Sequence, residues 1–392
     1  MELTHQISTA PRRTMALACG VFLMAGITLA GLGPTLPHLA VNVGYDLAAL
    51  GWLFTAISAG VVLAQFGAGP ASDRLGQRPV LSAGMLLMSG GAVGVTLGWT
   101  LATLLAGALL IGIGFGCVIA AGNMLVAGLF PARSAAALNG VNVFFGIGSM
   151  IGPVVSGVAG ARLGLPQAAL WVGAGLLIAL APTVLGRMAR PRPRTAAAAE
   201  YTPPRSAAFW LIGLLLLVYV GTEVGFGAWV TVYMIASAKL APASAVLVAS
   251  GFWLAITLGR VLGTMLGLRL GPPTLLMVSL LGVLGGAALL TFGVGDLGRS
   301  VAGVLLLGLS CGPVFPTVLA VIASGGRASG TAASLVLALG NCGGLVIPAL
   351  IGLLLSRYGP AAAAELVLGA AVIMVALCVV VVRSGIVESR AD

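Results

Sequence analysis

The stretch RMARPRPRTAAAAEYTPPR, residues 187–205, is the longest polar segment of the chain. It is rich in Pro and Ala and carries five arginines, a composition typical of a solvated linker. Six apolar runs of about twenty residues precede this segment and six follow it. About twenty residues is the length that an α-helix needs to cross a bilayer. The predicted spans are residues 15–38, 48–70, 79–99, 101–130, 136–159, 167–187, 208–235, 244–268, 274–294, 300–324, 331–355 and 361–382. The sequence therefore predicts an all-α membrane protein of twelve transmembrane helices in two pseudo-symmetric six-helix bundles, residues 1–186 and 207–392, joined by a linker at 187–206.

Composition excludes several classes of protein. The 392 residues are 59% hydrophobic and 7% charged, whereas a soluble domain is roughly 25% charged. So few charged residues exclude a soluble enzyme, whose surface needs more of them. The same composition excludes a disordered chain and a disulfide-built secreted module. The five cysteines lie in apolar runs, which predicts neither a disulfide framework nor a metal site. We expect no cofactor.

The basic residues indicate the orientation of the chain. The net charge of +10 does not point to a nucleic acid, because the basic residues lie in the short gaps between apolar runs. With a cytoplasmic amino terminus, fourteen of them fall inside and four outside, as the positive-inside rule requires. We therefore expect a multi-pass protein of the cytoplasmic membrane with a cytoplasmic linker and both termini in the cytoplasm. Eighteen arginines against one lysine are typical of a GC-rich bacterium.

Two short motifs carry a family resemblance. The segment GPASDRLGQR, residues 69–78, follows the second span, and GTMLGLRLGP, residues 263–272, is its degraded counterpart after the eighth. The first resembles the loop signature of the major facilitator superfamily through Gly69, Asp73, Arg74, Gly76 and Arg78. The resemblance implies a gating role for these residues. The small Gly69 lets the second helix approach a neighbour closely, and the Asp73 carboxylate can form a charge latch in one conformation only. A solvated loop with a turn glycine is the alternative. The fifth span adds Gly148, Gly152 and Pro153, which resemble the superfamily's motif on that helix and imply a role in gating. Plain helix packing is the alternative.

A narrower resemblance is to the fucose–galactose–glucose/proton symporter branch of that superfamily. It rests on segments 123–126, 137–146, 223–229, 252–260 and 312–317, and it implies a sugar-like substrate. Two features depart from the branch. Ala108 stands where many proton-coupled members have an arginine, and no acid precedes Asn123 on the fourth span. Any ion coupling must therefore use other residues.

Glu223 is the only acid placed deep in a predicted span, and Arg260 is the only basic residue inside one. An ionised carboxyl at that depth is costly unless it pairs with a cation or faces water, so Glu223 is a functional candidate. Counting along antiparallel spans at about 1.5 Å per residue, the two residues differ in depth by only several ångström, which an arginine side chain can reach. The sequence predicts an ion pair in which proton or cation binding at Glu223 biases the conformation. A structural pair, or an arginine that reaches toward the cytoplasmic surface, is the alternative.

Candidate substrate contacts are aromatic residues near Glu223 and three amides. Tyr219, Phe226 and Tyr233 share a helical face with Glu223, and Trp229 lies alongside. Aromatic faces stack on sugars, while a carboxylate and amides bind hydroxyl groups. The candidate amides are Asn123, Asn142 and Asn341. Helix packing and interhelical hydrogen bonding are the alternatives for all of these residues.

These observations favour a secondary transporter working by alternating access, coupled to H⁺ or Na⁺, that takes up a sugar-like small polar solute. The sequence shows no nucleotide-binding loop and no catalytic constellation, so we expect no enzyme. We expect a monomer in contact with membrane lipids, with no nucleic-acid partner. The alternatives are an exporter of amphipathic drugs or lipids and a membrane receptor or structural subunit without turnover.

Overall fold

The computed structural model describes residues 9–130, 134–188, 207–324 and 330–383, and within these ranges all regular structure is α-helical. In a bilayer this is the expected outcome, because a helix satisfies its backbone hydrogen bonds internally. The predicted linker falls almost entirely outside the described residues. The helices are α1 (Thr9–Val43), α2 (Leu47–Leu50), α3 (Trp52–Leu75), α4 (Gln77–Leu97), α5 (Leu101–Leu129), α6 (Ser134–Leu163), α7 (Ala168–Arg187), α8 (Ala207–Ala238), α9 (Pro242–Gly267), α10 (Pro272–Phe292), α11 (Leu297–Cys311), α12 (Val314–Ser324), α13 (Gly330–Arg357) and α14 (Pro360–Arg383).

The described part of the chain contains twelve segments that are long and apolar enough to span a membrane, and the predicted number is confirmed. Two of these spans are each built from two helices. The second combines α2 and α3, and the tenth combines α11 with α12. The sequence predicted an unbroken tenth span at 300–324, but α11 ends at Cys311 and α12 begins at Val314. Pro313 at this break has no backbone N–H to continue the helical hydrogen bonds.

The chain forms two compact units, the first comprising Met1–Leu32 with Ala56–Thr195 and the second Gly33–Thr55 with Ala196–Asp392. Within the first unit, glycines let helix backbones touch. A Cβ atom added at Gly148 of α6 would overlap the carbonyl oxygen of Leu23 in α1. One added at Gly112 of α5 would overlap that of Ile57 in α3. Close backbone approach of this kind is how membrane helices associate where apolar burial provides no driving force.

The second unit repeats both contacts. A Cβ atom on Gly343 of α13 would overlap the carbonyl oxygen of Leu217 in α8, and one on Gly312 would overlap that of Ile256 in α9. The partners stand 194 to 200 positions after their counterparts in the first unit, as subtraction of the residue numbers shows. The repeat is therefore present in the packing as well as in the number of spans.

The boundary between the units differs from the predicted one, because residues 33–55 group with the C-terminal helices. Thr55 donates a hydrogen bond from Oγ1 to the carbonyl oxygen of Leu345 in α13, at 2.7 Å. Phe54 packs edge-on against Trp229 of α8, with ring centroids 6.1 Å apart. The start of α3 is thus held by α8 and α13. Nothing in the local sequence signals these contacts, which join residues far apart in the chain.

Candidate functional site

The structure brings Glu223 and Arg260 together inside the second unit. Glu223 lies near the middle of α8, and Arg260 lies about two-thirds along the antiparallel α9. Nη2 of Arg260 is 3.6 Å from Oε1 of Glu223. The carboxylate side chain is 11% exposed and the guanidinium side chain 33% exposed. No other ion pair is recorded among the residues that the structure describes.

Close packing of three helices positions this pair. Gly259 precedes Arg260, and a Cβ atom there would overlap the carbonyl oxygen of Leu309 in α11. One turn before Glu223, Tyr219 is fully buried and its hydroxyl donates to the carbonyl oxygen of Cys311 at 2.9 Å. The same hydroxyl lies beside the Glu223 carboxyl. The pair is therefore held among α8, α9 and α11.

The first unit has the same packing without the pair. Gly60 of α3 touches the carbonyl oxygen of Leu109 in α5 as Gly259 touches that of Leu309. The residue after Gly60 is Val61, in the place that Arg260 takes in the second unit. The packing is thus repeated, whereas the ion pair belongs to the C-terminal repeat.

The aromatic residues predicted to contact substrate are buried in the second unit. Tyr219, Phe226, Trp229 and Tyr233 have at most 1% of their surface exposed. The indole N–H of Trp229 donates to Pro348 at 2.8 Å, and the Tyr233 hydroxyl donates to Leu290 at 3.0 Å, in both cases to a backbone carbonyl oxygen. Phe226 packs edge-on against Tyr233 at 5.6 Å. In this structure these side chains hold α8 to α10, α11 and α13, and their contact with a solute stays a prediction.

The three candidate asparagines are divided between the two units. Asn123 and Asn142 belong to the first unit and Asn341 to the second. The side-chain amide of Asn142 donates to the carbonyl oxygen of Leu138 in its own helix at 2.9 Å. Oδ1 of Asn123 is buried and finds no hydrogen-bond partner within the described residues. An oxygen in that state can accept a hydrogen bond from a solute, so of the three Asn123 has the clearest free binding capacity.

The loop signature after the second span adopts a tight turn between α3 and α4. Gly76 has a φ of +90°, a conformation that favours glycine. Arg78 donates to the carbonyl oxygen of Leu185 at 3.4 Å. Asp73 and Arg74 are exposed, and a Cβ atom on Gly69 would have no atom within 4 Å. The close approach expected at Gly69 does not occur in this conformation, and the latch at Asp73 stays a prediction.

The motif on the fifth span lies in α6 and packs against α1. Gly148 and Gly152 both touch the α1 backbone, the latter at the carbonyl oxygen of Ile27. Pro153 lies inside α6, one residue after Gly152. This packing role is visible in the structure, while a role in gating stays a prediction.

We expect the variants Asp73→Asn, Arg74→Ala and Gly76→Val to reduce the transport rate much more than the affinity for ligand. The substitution at Gly76 imposes backbone strain of roughly 1–3 kcal/mol, enough to change a conformational equilibrium by about fivefold or more if one conformation relieves it. Transport rates in proteoliposomes and ligand affinity by calorimetry measure the two effects. Equal losses in both would contradict a switching role for this loop.

No group of three or more His, Cys, Asp or Glu side chains suited to a metal ion occurs in the part of the chain that the structure describes. Sequence reasoning did not identify Cys311, whose carbonyl oxygen accepts from Tyr219, or Phe54 and Thr55, which contact α8 and α13. A backbone carbonyl leaves no signal in a side-chain pattern.

Comparison with known proteins places the chain in a family. Residues 17–341 match the Major Facilitator Superfamily. The "Sodium-dependent glucose transporter 1" of Danio rerio is 22% identical over 381 residues, covering 86% of this chain and 64% of that protein. The "4-hydroxybenzoate transporter PcaK" of Acinetobacter baylyi is 31% identical over 120 residues, covering 30% of this chain and 26% of that one. The chain thus spans less than two thirds of the length of these two relatives.

Solved structures share the fold. The nucleoside transporter NupG superposes with a TM-score of 0.72 at 16% identity, covering 95% of this chain and 98% of that one. The fucose:proton symporter FucP of E. coli superposes with a TM-score of 0.64 at 17% identity, covering 96% and 99%. Together with the match over most of its length, the twelve spans in two repeats establish that the chain belongs to the Major Facilitator Superfamily.

Proposed function

We propose that this protein is a secondary active transporter that works by alternating access and couples the uptake of a sugar-like small polar solute to H⁺ or Na⁺. The observation that carries the proposal is the Glu223–Arg260 pair, 3.6 Å apart and deep in the span region of the second unit. A charged pair at this depth is costly, and such residues mark ion and solute pathways. We propose that the protein lies in the cytoplasmic membrane. We also propose that it works as a monomer, because one chain contains both repeats.

The pair supplies a means of coupling. When a proton or a cation binds the Glu223 carboxylate, the attraction to Arg260 weakens, and the conformation that depended on this attraction loses stability. A ligand shifts an equilibrium only by its differential affinity for the two conformations. The affinity of Glu223 for the ion differs between the two conformations, because the ion competes with Arg260 in only one of them. Glu223 and Arg260 are therefore the proposed coupling residues.

The comparisons support the substrate class by analogy. Relatives named as sodium-dependent glucose transporters match 85% to 87% of this chain in several vertebrates, at 22% to 24% identity. FucP, named as a fucose:proton symporter, shares the fold. We propose that Asn123 contributes to solute binding, because its buried Oδ1 has no hydrogen-bond partner within the described residues. Asn142, Asn341 and the α8 aromatic residues are further proposed solute contacts.

The test is uptake by the purified protein in proteoliposomes. Radiolabelled sugars are offered with an inward proton gradient, an inward sodium gradient or no gradient. We expect accumulation above the external concentration with one of the gradients and its collapse when an ionophore dissipates that gradient. Equilibration without accumulation would contradict ion coupling. Extrusion of hydrophobic dyes in place of sugar uptake would favour an exporter.

The proposed orientation can be tested separately. Single cysteines placed at positions 190 to 205, in a background without the natural cysteines, should react with a membrane-impermeant maleimide only from the cytoplasmic side. The reason is that the linker carries five arginines, and basic loops are retained in the cytoplasm. Cysteine at the exposed Lys239, between α8 and α9, is the matched control and should react from the opposite side. Labelling of the linker from outside would overturn the orientation.

A further inference from the structure

The guanidinium of Arg260 has N–H groups that are available to bind a further acceptor. Its Nη2 lies 3.6 Å from Oε1 of Glu223, beyond the roughly 2.7–3.2 Å of an N–H···O hydrogen bond. The two groups attract each other as charges without a close hydrogen bond. Among the residues that the structure describes, no hydrogen bond is recorded for the five N–H groups of this side chain, and one third of its surface is exposed.

The site has no net charge while Glu223 and Arg260 are both ionised. Glu223 is the only acid, and Arg260 the only basic residue, near the middle of a described span. The other titratable groups that interact with Glu223 are Tyr219 on α8 and Cys311 on α11, and both are buried. Within the described residues, no charged group of α13 or α14 is recorded as interacting with Glu223. An anion that enters here leaves one uncompensated negative charge, which is costly at this depth.

We propose that Arg260 binds the carboxylate of the transported solute and that Glu223 takes up a proton when it does so. This inference rests on the proposed transport function and names its substrate as a small hydroxylated monocarboxylic acid, such as a sugar acid. Arginine presents a planar fork of donors that matches a carboxylate in a bidentate geometry. The solute carboxylate replaces Glu223 as the partner of Arg260, and the proton keeps the site neutral.

The same geometry disfavours sodium as the coupling ion. A sodium ion that neutralised Glu223 would lie within several ångström of the guanidinium, and two cations repel each other strongly away from bulk water. A proton on the carboxyl oxygen adds no such charge to the site. The protonated carboxyl can then donate a hydrogen bond to the Tyr219 hydroxyl oxygen, which itself donates to Cys311.

The experiment compares two probes that differ at one carbon, D-glucose and D-glucuronate. Binding to the purified full chain is measured by calorimetry at pH 5.5 and pH 7.5, with and without sodium. We expect glucuronate to bind more tightly than glucose and to lose up to about tenfold in affinity per pH unit as the pH rises, because one proton binds with the solute. Sodium should have no effect.

Three variants separate the roles of the two side chains. Glu223→Gln mimics the protonated acid, so glucuronate should bind it with equal affinity at both pH values. Arg260→Gln should lose the preference for glucuronate, and Arg260→Lys, which keeps the charge without the fork, should retain part of it. Arg269→Gln is the matched control, because Arg269 is an exposed arginine just beyond α9. Circular dichroism and thermal unfolding verify that each variant is folded.

The outcomes distinguish this inference from the function on which it rests. Tight, proton-dependent binding of glucuronate that is lost in Arg260→Gln supports it. If the protein accumulates glucose in proteoliposomes but shows no preference for glucuronate, the transport function stands and the inference is overturned. If affinity for glucuronate depends on sodium and not on pH, the inference is also overturned. If neither sugar binds or accumulates, both proposals fail.

Discussion

Replacing Glu223 by glutamine is expected to abolish accumulation of solute against a gradient while exchange of solute across the membrane continues. The amide keeps the shape of the side chain and most of its hydrogen bonding, but it can neither gain nor lose a proton. Without that change, Arg260 is released permanently and ion binding no longer distinguishes the two conformations. The loaded protein still interconverts, so exchange proceeds while net concentrative uptake falls to the level of empty liposomes.

The measurement is uptake in proteoliposomes with an imposed gradient, followed by counterflow of labelled solute without one. Glu365→Gln is the matched control, because Glu365 is an exposed acid near the start of α14 and makes no recorded ion pair within the described structure. This control should accumulate solute as the unmodified protein does. Undiminished concentrative uptake by Glu223→Gln would overturn the coupling role and leave a facilitator or a different coupling group.

The second large effect is expected at a glycine remote from the ion pair. Gly148→Val should sharply lower the yield and the thermal stability of the folded protein, because even a Cβ atom at this position overlaps the carbonyl oxygen of Leu23 in α1. Overpacking of a well-packed core costs roughly 1–3 kcal/mol, and a contact with backbone leaves no side chain that could move aside. Gly343→Val should have the same effect in the second unit, where Gly343 meets Leu217.

Monodisperse yield and the midpoint of thermal unfolding in detergent measure this loss. Gly67→Val is the matched control, since Gly67 lies in α3, is exposed, and would have no atom within 4 Å of a new Cβ. It should leave yield and midpoint close to those of the unmodified protein. A Gly148→Val protein as stable as the Gly67→Val protein would show that α1 and α6 can separate without loss of the fold.

These predictions concern different parts of one design. The glycine contacts join helix backbones in both units. A larger side chain at one of these glycines should therefore lower the stability of the fold. In the part of the chain that the structure describes, the ion pair lies in the second unit, and the residue after the matching glycine in the first unit is Val61. A change at Glu223 should therefore act on the coupling of transport and leave folding largely intact.

The sequence by itself determined the number of spans. That number follows from a property that is local in the chain, since a run of about twenty apolar residues suffices for a span. The depth of Glu223 and Arg260 could also be predicted, because a helix advances about 1.5 Å per residue. The loop motif also contains the glycine at which the chain turns, since Gly76 has a φ of +90°.

Only the tertiary structure decided how these elements pack and which side chains remain available. From the sequence, the helical face with Tyr219, Phe226 and Tyr233 was as consistent with solute binding as with helix packing. The structure shows all three side chains buried against neighbouring helices. Packing also placed residues 33–55 with the C-terminal helices through Thr55 and Phe54. The partners in these contacts are backbone carbonyls and rings far away in the chain. A one-dimensional pattern carries no record of them, because every residue has a carbonyl and only the fold selects the one that is used.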